Sequence, residues 1–406
     1  MFFETGGLMG TKKKRIAILV QNLHNGGAER MAANLSIELA KYYDVYLIVF
    51  DAGDAIYPYG GKLIDLKVPP LAEASKATRI RNIITRIRRL SYIKKKYRID
   101  CTISHMEGAN LVNIFARRGD KILTMYHSMP SKCMDATKVH KLMHQFTGKH
   151  SAKYLCVSRL AEQDMAENFG VDPEHLSHIY NFSDLEKIAR LQKEKLPDPD
   201  ALFYASHPRV VITVGRLTHM KAQDRLIRML NVLREKDPGI GLVILGEGEE
   251  RPLLEKLAEE LDVKDHVLMP GEVENPFPYM KKAKAFALPS DYEGLPMVLI
   301  EAAACTLPVV SCDIQSGPRE VLAPESDITK STETIEYAQY GILVPALAEE
   351  PRRGELSNKE QLMAQAIREL LTDETLRRRY CENSAACAER FSSEQIIGEW
   401  RKLIEE

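Results

Sequence analysis

Short runs of aliphatic and β-branched residues recur along the chain, each followed by a stretch in which apolar positions return every three or four residues. Arg15–Val20 (RIAILV) opens the series; 45–50, 100–104, 121–126 and 153–157 continue it, with a helical pattern over about 28–43 after the first. Runs that are apolar at successive positions, rather than alternating, are what strands buried on both faces look like, so the pattern predicts strand–helix–strand repetition and a parallel sheet covered on both sides. A second series is predicted near Arg209–Val214, 241–245, 266–269, 283–288 and 308–311. Between the two, LPDPD at 196–200 and His207-Pro208 break the rhythm and read as a linker. The expectation is an α/β chain of two doubly wound Rossmann-like domains: a tail over 1–11, a first domain over 12–195, a linker over 196–208, a second domain over 209–388, and a helix over 389–406 that returns to brace the first domain. Two such domains place a ligand cleft between the carboxyl ends of both sheets.

Composition adds little beyond excluding alternatives. With 45% hydrophobic and 28% charged residues in 406, the chain is unlike disordered, collagenous or coiled-coil sequences. No apolar run reaches the roughly 18 residues of a spanning helix, and the stretch 297–310 is interrupted by Glu301 and Pro308. The opening MFFETGGLMG places apolar residues before the Lys12-Lys13-Lys14-Arg15 run, the reverse of a secretory signal, which predicts a cytoplasmic protein with Met9 as a candidate start. Seven cysteines without CxxC or regular spacing indicate packed, reduced thiols.

Charge changes the picture more. The net value of −1 hides 25 Lys+Arg against 12 Asp+Glu in residues 1–150, and 31 against 45 in 151–406. Ten of the positive charges lie between Lys76 and Arg98, where Ile80, Ile83, Ile84, Ile87 and Leu90 recur at helical spacing. That predicts an amphipathic helix with a strongly basic outer face. Its apolar stripe packs on the core in one reading; in the other, Arg79, Arg86, Arg88 and Arg89 draw the protein to anionic headgroups or to a diphosphate-bearing acceptor. Nucleic acid is disfavoured, because aromatic residues are sparse there and no nucleic-acid module is recognisable.

Three segments carry candidate chemistry. The first strand runs through Gln21-Asn-Leu-His-Asn into Gly26-Gly27-Ala-Glu-Arg30 and directly into a helix, so backbone amides at a helix N-terminus face the cleft and suit an anion. The absence of GxGxxG counts against NAD or FAD. Val214-Gly215-Arg216-Leu-Thr-His-Met-Lys221 places two cations around the turn after a strand, a planar fork and a point charge suited to a diphosphate. In Ser290-Asp-Tyr-Glu293-Gly294-Leu295-Pro296-Met-Val-Leu-Ile-Glu301, seven residues separate two glutamates, with Pro296 suited to a first helical turn. At 1.5 Å per residue a mostly helical span sets them on the order of 10 Å apart. That suits gripping different hydroxyls of one extended ligand better than flanking one scissile bond.

With these segments in this order, and with LGEGEE (Leu245, Gly246 to Glu250) and the context EGLPMVLIEAAACTLPVV, the chain resembles the retaining glycosyltransferases of the GT-B fold, in the large family 4 that uses nucleotide-sugar donors. The likeness covers nearly the whole chain. It implies that Arg216 and Lys221 stabilise the donor diphosphate as it departs, that Glu293 holds sugar hydroxyls and Glu301 ribose hydroxyls, and that His127, in Thr124-Met-Tyr-His-Ser128, reaches the donor sugar. It also implies donor-binding roles for Gly26, Gly27, Gly215, Gly246, Gly294, Leu295 and Pro296. Asn181 matches an inter-domain turn and reads best as a turn residue. Cys312-Asp-Ile-Gln-Ser-Gly-Pro-Arg-Glu320 is similar to family members that build bacterial surface polysaccharides on lipid carriers, and His105, in HMEGAN, stands where such enzymes line the acceptor side. The implied activity is retaining transfer of a hexose or N-acetylhexosamine from a UDP-sugar to a lipid-diphosphate-linked saccharide at the cytoplasmic face of the inner membrane, without a metal. The alternatives are an inactive GT-B subunit that binds a membrane saccharide or a partner glycosyltransferase, against which the intact Arg216, Lys221, Glu293 and Glu301 argue, and a phosphorylase, for which no pyridoxal-binding lysine is assignable.

Other signals compete weakly. Asp198-Pro-Asp200 matches a DxD metal motif but falls in the Pro-rich stretch rather than at a strand end. His140 and His144 are four apart on a helical pattern, yet no carboxylate or thiol has ligand-like spacing, so both are expected at the surface. No GxSxG occurs.

Overall fold

The computed structural model describes residues 13–24, 26–53, 57–69, 75–133, 137–315, 317–347 and 356–406. The 1–11 stretch read as a tail lies outside them. Seven strands, β1 (Arg15–Val20), β2 (Asp44–Val49), β3 (Lys62–Asp65), β4 (Cys101–His105), β5 (Lys121–Tyr126), β6 (Lys153–Cys156) and β7 (Leu176–His178), form a parallel sheet in the order β3-β2-β1-β4-β5-β6-β7. Seven more, β8 (Arg209–Val214), β9 (Ile240–Leu245), β10 (Val267–Gly271), β11 (Ala285–Leu288), β12 (Val309–Asp313), β13 (Glu336–Tyr337) and β14 (Ile342–Pro345), form a second sheet in the order β10-β9-β8-β11-β12-β14-β13. It is parallel apart from the β13–β14 pair. The central strands carry the continuous apolar runs and are buried on both faces. β3, β7 and β13 are sheet edges, too short and too exposed to show such a run.

The two strand orders share one consequence. The order in which strands are added reverses between β1 and β4 in the first sheet and between β8 and β11 in the second, so the loops leaving these four strands part from each other and open a crevice at the carboxyl edge. Those loops hold Gly26 and Gly27, the segment after His105, Gly215 to Lys221, and Pro289 to Pro296.

The 196–208 stretch is a correction to the linker reading. It carries a nine-residue helix, Asp198–Ser206. Pro197 caps it and Pro199 lies in its first turn, where a missing N–H costs nothing, while Asp198 and Asp200 favour the helix N-terminus electrostatically. The last helix, Ser393–Glu405, crosses back to the first sheet. Ile396, Ile397, Trp400 and Ile404 join the core around Ile16, Ile18 and Leu39, and Glu405 meets Lys14 Nζ at 2.7 Å. Ser183 and Ser392 bridge the crossing, with Ser183 N donating to Phe391 O and Ser393 N to Ser183 O.

Candidate active site

Helix α1 (Gly27–Ala40) starts directly after Gly26, and a Cβ added to Gly27 would meet no protein atom within 4 Å. One turn in, the Arg30 guanidinium reaches across to Glu301 Oε1 at 3.3 Å. Glu301 projects from the Met297–Ala304 helix and is buried, and that burial raises its pKa against the lowering effect of Arg30. The pairing joins the first sheet's glycine turn to the second unit's Glu-x7-Glu segment. Arg30 stands in the GGAER run, but no local spacing indicates a partner 271 positions away.

After β8, the chain turns through a short 3-10 segment, His219–Lys221. Lys221 Nζ donates to Glu293 Oε1 at 2.5 Å, Ser290 Oγ donates to the same oxygen at 2.9 Å, and the Lys221 stem lies 3.8 Å from where a Gly215 Cβ would be. Arg216 is exposed at the head of this turn, its carbonyl accepting from Thr218 N and Gln223 Nε2. Gly246, at φ +136, passes so near Gly215 that a Cβ there would fall 2.0 Å from the Gly215 carbonyl oxygen, so only glycine allows the loops after β8 and β9 to meet.

The third component closes from the first sheet. His127 follows β5, and its carbonyl packs against Gly294, where a Cβ would stand 2.8 Å from it. Next to it, Met129 N donates to the Tyr292 hydroxyl at 3.1 Å. His127 is half-buried, and burial holds its pKa down at about 4. His105 does not line an acceptor surface, contrary to expectation. It is wholly buried behind His127, with Nδ1 2.8 Å from His127 Nε2 and the rings stacked at 5.1 Å. Arg30, Ser290 and Tyr292 therefore join the residues that sequence motifs pointed to.

Residues 25–187 match the family described as Glycosyltransferase Family 4, and residues 197–339 match Glycosyl transferases group 1. The chain is a GT-B glycosyltransferase related to these two families. It is 36% identical over 232 residues to an uncharacterized glycosyltransferase of Methanocaldococcus jannaschii, covering 56% of this chain and 57% of that protein. It is 27% identical over 409 residues, 96% of this chain and 99% of the relative, to the N-acetylgalactosamine-N,N'-diacetylbacillosaminyl-diphospho-undecaprenol 4-alpha-N-acetylgalactosaminyltransferase of Campylobacter jejuni. The fold is similar to Anabaena HepE in complex with UDP and glucose, with a TM-score of 0.70, 16% identity and coverage of 97% and 99%.

Other candidate residues of the glycosyltransferase lie away from this cluster. Helix α2 (Lys76–Tyr97) forms as predicted, but its faces differ from expectation. Only the C-terminal half is anchored, through Leu90, Ile93 and Lys94, whereas Ile80, Ile83 and Ile84 are 59%, 44% and 44% exposed. Lys94 points inward, 2.8 Å from Asp120, rather than joining the basic surface. Arg86 donates to Val68 O at 3.0 and 2.9 Å and stacks on Phe50, and Arg89 binds Leu66 O, so these two hold a loop of their own domain. Arg88 is exposed and borders, with Asp65, Lys67 and Tyr92, an open groove of about 390 Å³.

The remaining signals resolve as structure. Asp200 accepts from the Tyr279 hydroxyl inside the protein. His144 is buried, not at the surface, with Nδ1 2.8 Å from the Tyr154 hydroxyl and Phe169 edge-on to its ring. Asn181 lies in an irregular segment near the crossing, its Oδ1 buried without a partner. Glu320, from the Cys312 to Glu320 run, accepts from Arg159 N at 2.8 Å, Leu160 N at 3.1 Å and the Tyr180 hydroxyl at 2.8 Å, so it caps a helix of the first unit from the second. Burial pushes the Cys101, Cys305, Cys312 and Cys387 thiols up to about 12, far from nucleophilic. Among the described residues no group of three His, Cys, Asp or Glu side chains is placed to hold a metal, and no helix is long and apolar enough to cross a membrane.

Proposed function

We propose that this glycosyltransferase moves a hexose or N-acetylhexosamine from a UDP-sugar to a hydroxyl of a lipid-diphosphate-linked saccharide, with retention at the anomeric carbon. The observation that carries the reading is the convergence of Lys221–Glu293, Arg30–Glu301 and the His127–Gly294 contact on one cleft between the two sheets. Glu301 takes the ribose hydroxyls, Arg216 and Lys221 the diphosphate, Glu293 and His127 the sugar, and Gly27 lets the first-domain backbone approach the diphosphate. The adjacency of the Lys221 ammonium and the Glu293 carboxylate supports this division, a cation beside a hydroxyl acceptor being what the junction of diphosphate and sugar requires. As the bond from the anomeric carbon to the diphosphate oxygen breaks, the acceptor oxygen bonds to that carbon on the same face, and the acceptor proton passes to the departing diphosphate. Fixed cations aimed at the charge that develops there lower the barrier.

The titration that tests the donor assignment compares UDP and GDP against wild type and Glu301→Ala, without added metal. Hydrogen bonds to a charged group contribute about 1.5–3 kcal/mol each, so Glu301→Ala is expected to weaken UDP binding roughly 10- to 100-fold. A preference for GDP would replace the donor, and binding of neither nucleotide would overturn the enzyme reading.

The lipid-linked acceptor is supported by the diphospho-undecaprenol acceptor in the name of the Campylobacter relative, and by helix α2. Exposed Ile80, Ile83 and Ile84 beside Arg88 make a surface that suits an anionic bilayer, apolar side chains entering the headgroup boundary and cations meeting phosphates. Changing all three isoleucines to serine is expected to lower binding to phosphatidylglycerol vesicles at low salt at least about tenfold, since each buried methylene contributes about 0.8 kcal/mol. Unchanged sedimentation with vesicles would leave the helix as a solvated face.

A further inference from the structure

Two neutral imidazoles face each other beneath the cleft. His105 and His127 approach through Nδ1 and Nε2 at 2.8 Å, and the other ring nitrogen of His105, Nε2, is buried with no hydrogen-bond partner. Burial pushes the His105 pKa well below its usual value and that of His127 to about 4, so neither ring is charged near neutrality and each carries one N–H. One proton must lie between them, and the orphan nitrogen decides whose it is. If His105 carried its proton on Nε2, a buried donor would be left bare, the rarer and costlier kind of unsatisfied group. A bare lone pair is the better tolerated one. The His105 proton therefore belongs on Nδ1, donating to His127 Nε2, and His127 must hold its own proton on Nδ1.

We infer that His105 is a positioning residue that locks His127 in the Nδ1–H tautomer, so that His127 presents a hydrogen-bond donor to an acceptor oxygen of the donor sugar. The inference rests on the glycosyl-transfer reading for what His127 meets, but not for the tautomer itself. His127 is held on both sides: its ring by His105 and its carbonyl by the close approach of Gly294. With Nε2 occupied by His105, Nδ1 is the ring nitrogen left for a ligand. A donor fixed in place discriminates by leaving itself unpaired against a sugar that has no oxygen at that point.

The test is nitrogen NMR of the full-length protein labelled with ¹⁵N-histidine, with no substrate present. Wild type is expected to show His127 with Nδ1 protonated and Nε2 bare; a His127 resonance pattern with protonated Nε2 would overturn the inference. Asparagine can place an amide N–H where His105 has Nδ1, so His105→Asn should retain the tautomer and most of the turnover. His105→Leu should release His127 to the Nε2–H form and lower kcat about tenfold, the magnitude of one ordinary hydrogen bond, with UDP affinity unchanged by calorimetry. Unchanged turnover and tautomer in His105→Leu would also overturn it. If that variant fails to fold, the wild-type tautomer and His105→Asn still decide. Because the tautomer is read without substrate, loss of the UDP-sugar reading and loss of this inference are separately visible.

Discussion

Lys221→Ala is expected to lower kcat about 100- to 1000-fold, with the smaller part of the loss in KM for the nucleotide-sugar. The ammonium sits 2.5 Å from Glu293 Oε1, in a turn that begins at the β8 switch point and is fixed by Gly215 beneath the lysine stem. An interaction that strengthens as negative charge accumulates on the departing diphosphate acts on the transition state more than on bound donor, so its loss appears in kcat. Removing the lysine also takes a cation from beside a carboxylate that is 8% exposed, and the neutral Ser290 hydroxyl supplies no counter-charge. Lys221→Arg is expected to recover little, because the longer planar fork cannot occupy the point-charge position between Gly215 and Glu293. Steady-state kinetics over a range of UDP-sugar concentrations read the split. A loss confined to KM would assign Lys221 to ground-state binding.

The second large effect is on stability. Lys94→Met is expected to destabilise the protein by about 3–5 kcal/mol, the cost of leaving one member of a buried ion pair without the other. Lys94 and Asp120 are both fully buried, 2.8 Å apart; Lys94 also donates to Asn113 Oδ1 at 2.6 Å, and Thr102 Oγ1 to Asp120 at 2.6 Å. Burial holds the lysine's pKa below its usual value even with Asp120 beside it, so desolvation outweighs attraction and the pair contributes register more than net stability. It pins the C-terminal half of α2 to the core; Ile80 and Ile83 share the Lys94 side of the helix but lie beyond that anchored half and stay exposed. Changing Asp120 to leucine as well as Lys94 to methionine should therefore recover part of the loss. The urea midpoint of the transition measures both; a Lys94→Met shift worth less than about 1 kcal/mol would mean that water replaces the lysine.

Much of the molecule was legible before any coordinates. The central strands of both sheets showed as continuous apolar runs because parallel strands covered by helices have no wet face, whereas β3, β7, β13 and β14 gave no such signal; the candidate donor-side residues stood out because glycines, paired cations and spaced glutamates fall at strand ends. The reading of α2 went wrong in an instructive way. Helical spacing states which residues share a stripe, but not what covers it, and here only the part of the stripe from Ile87 onward meets the core. Lys94 was counted with the basic surface because charge is assumed to be outside unless a partner is visible, and Asp120 is 26 positions away. The prolines at 197 and 199 suggested a break, whereas a helix accepts proline in its first turn.

What the sequence determined by itself is the central strands and the motifs that set candidate donor-binding groups at their ends, since both depend on local pattern. What only the tertiary structure decided are the pairings across the cleft: Arg30 with Glu301, Gly294 against His127, and Glu320 on the backbone of a helix in the other unit. It also decided that His105 lies behind His127 instead of facing an acceptor. The physical reason is the same in each case. A hydrogen bond or ion pair acts over about 3 Å, and which residues come that close is set by how two sheets pack, not by their separation along the chain.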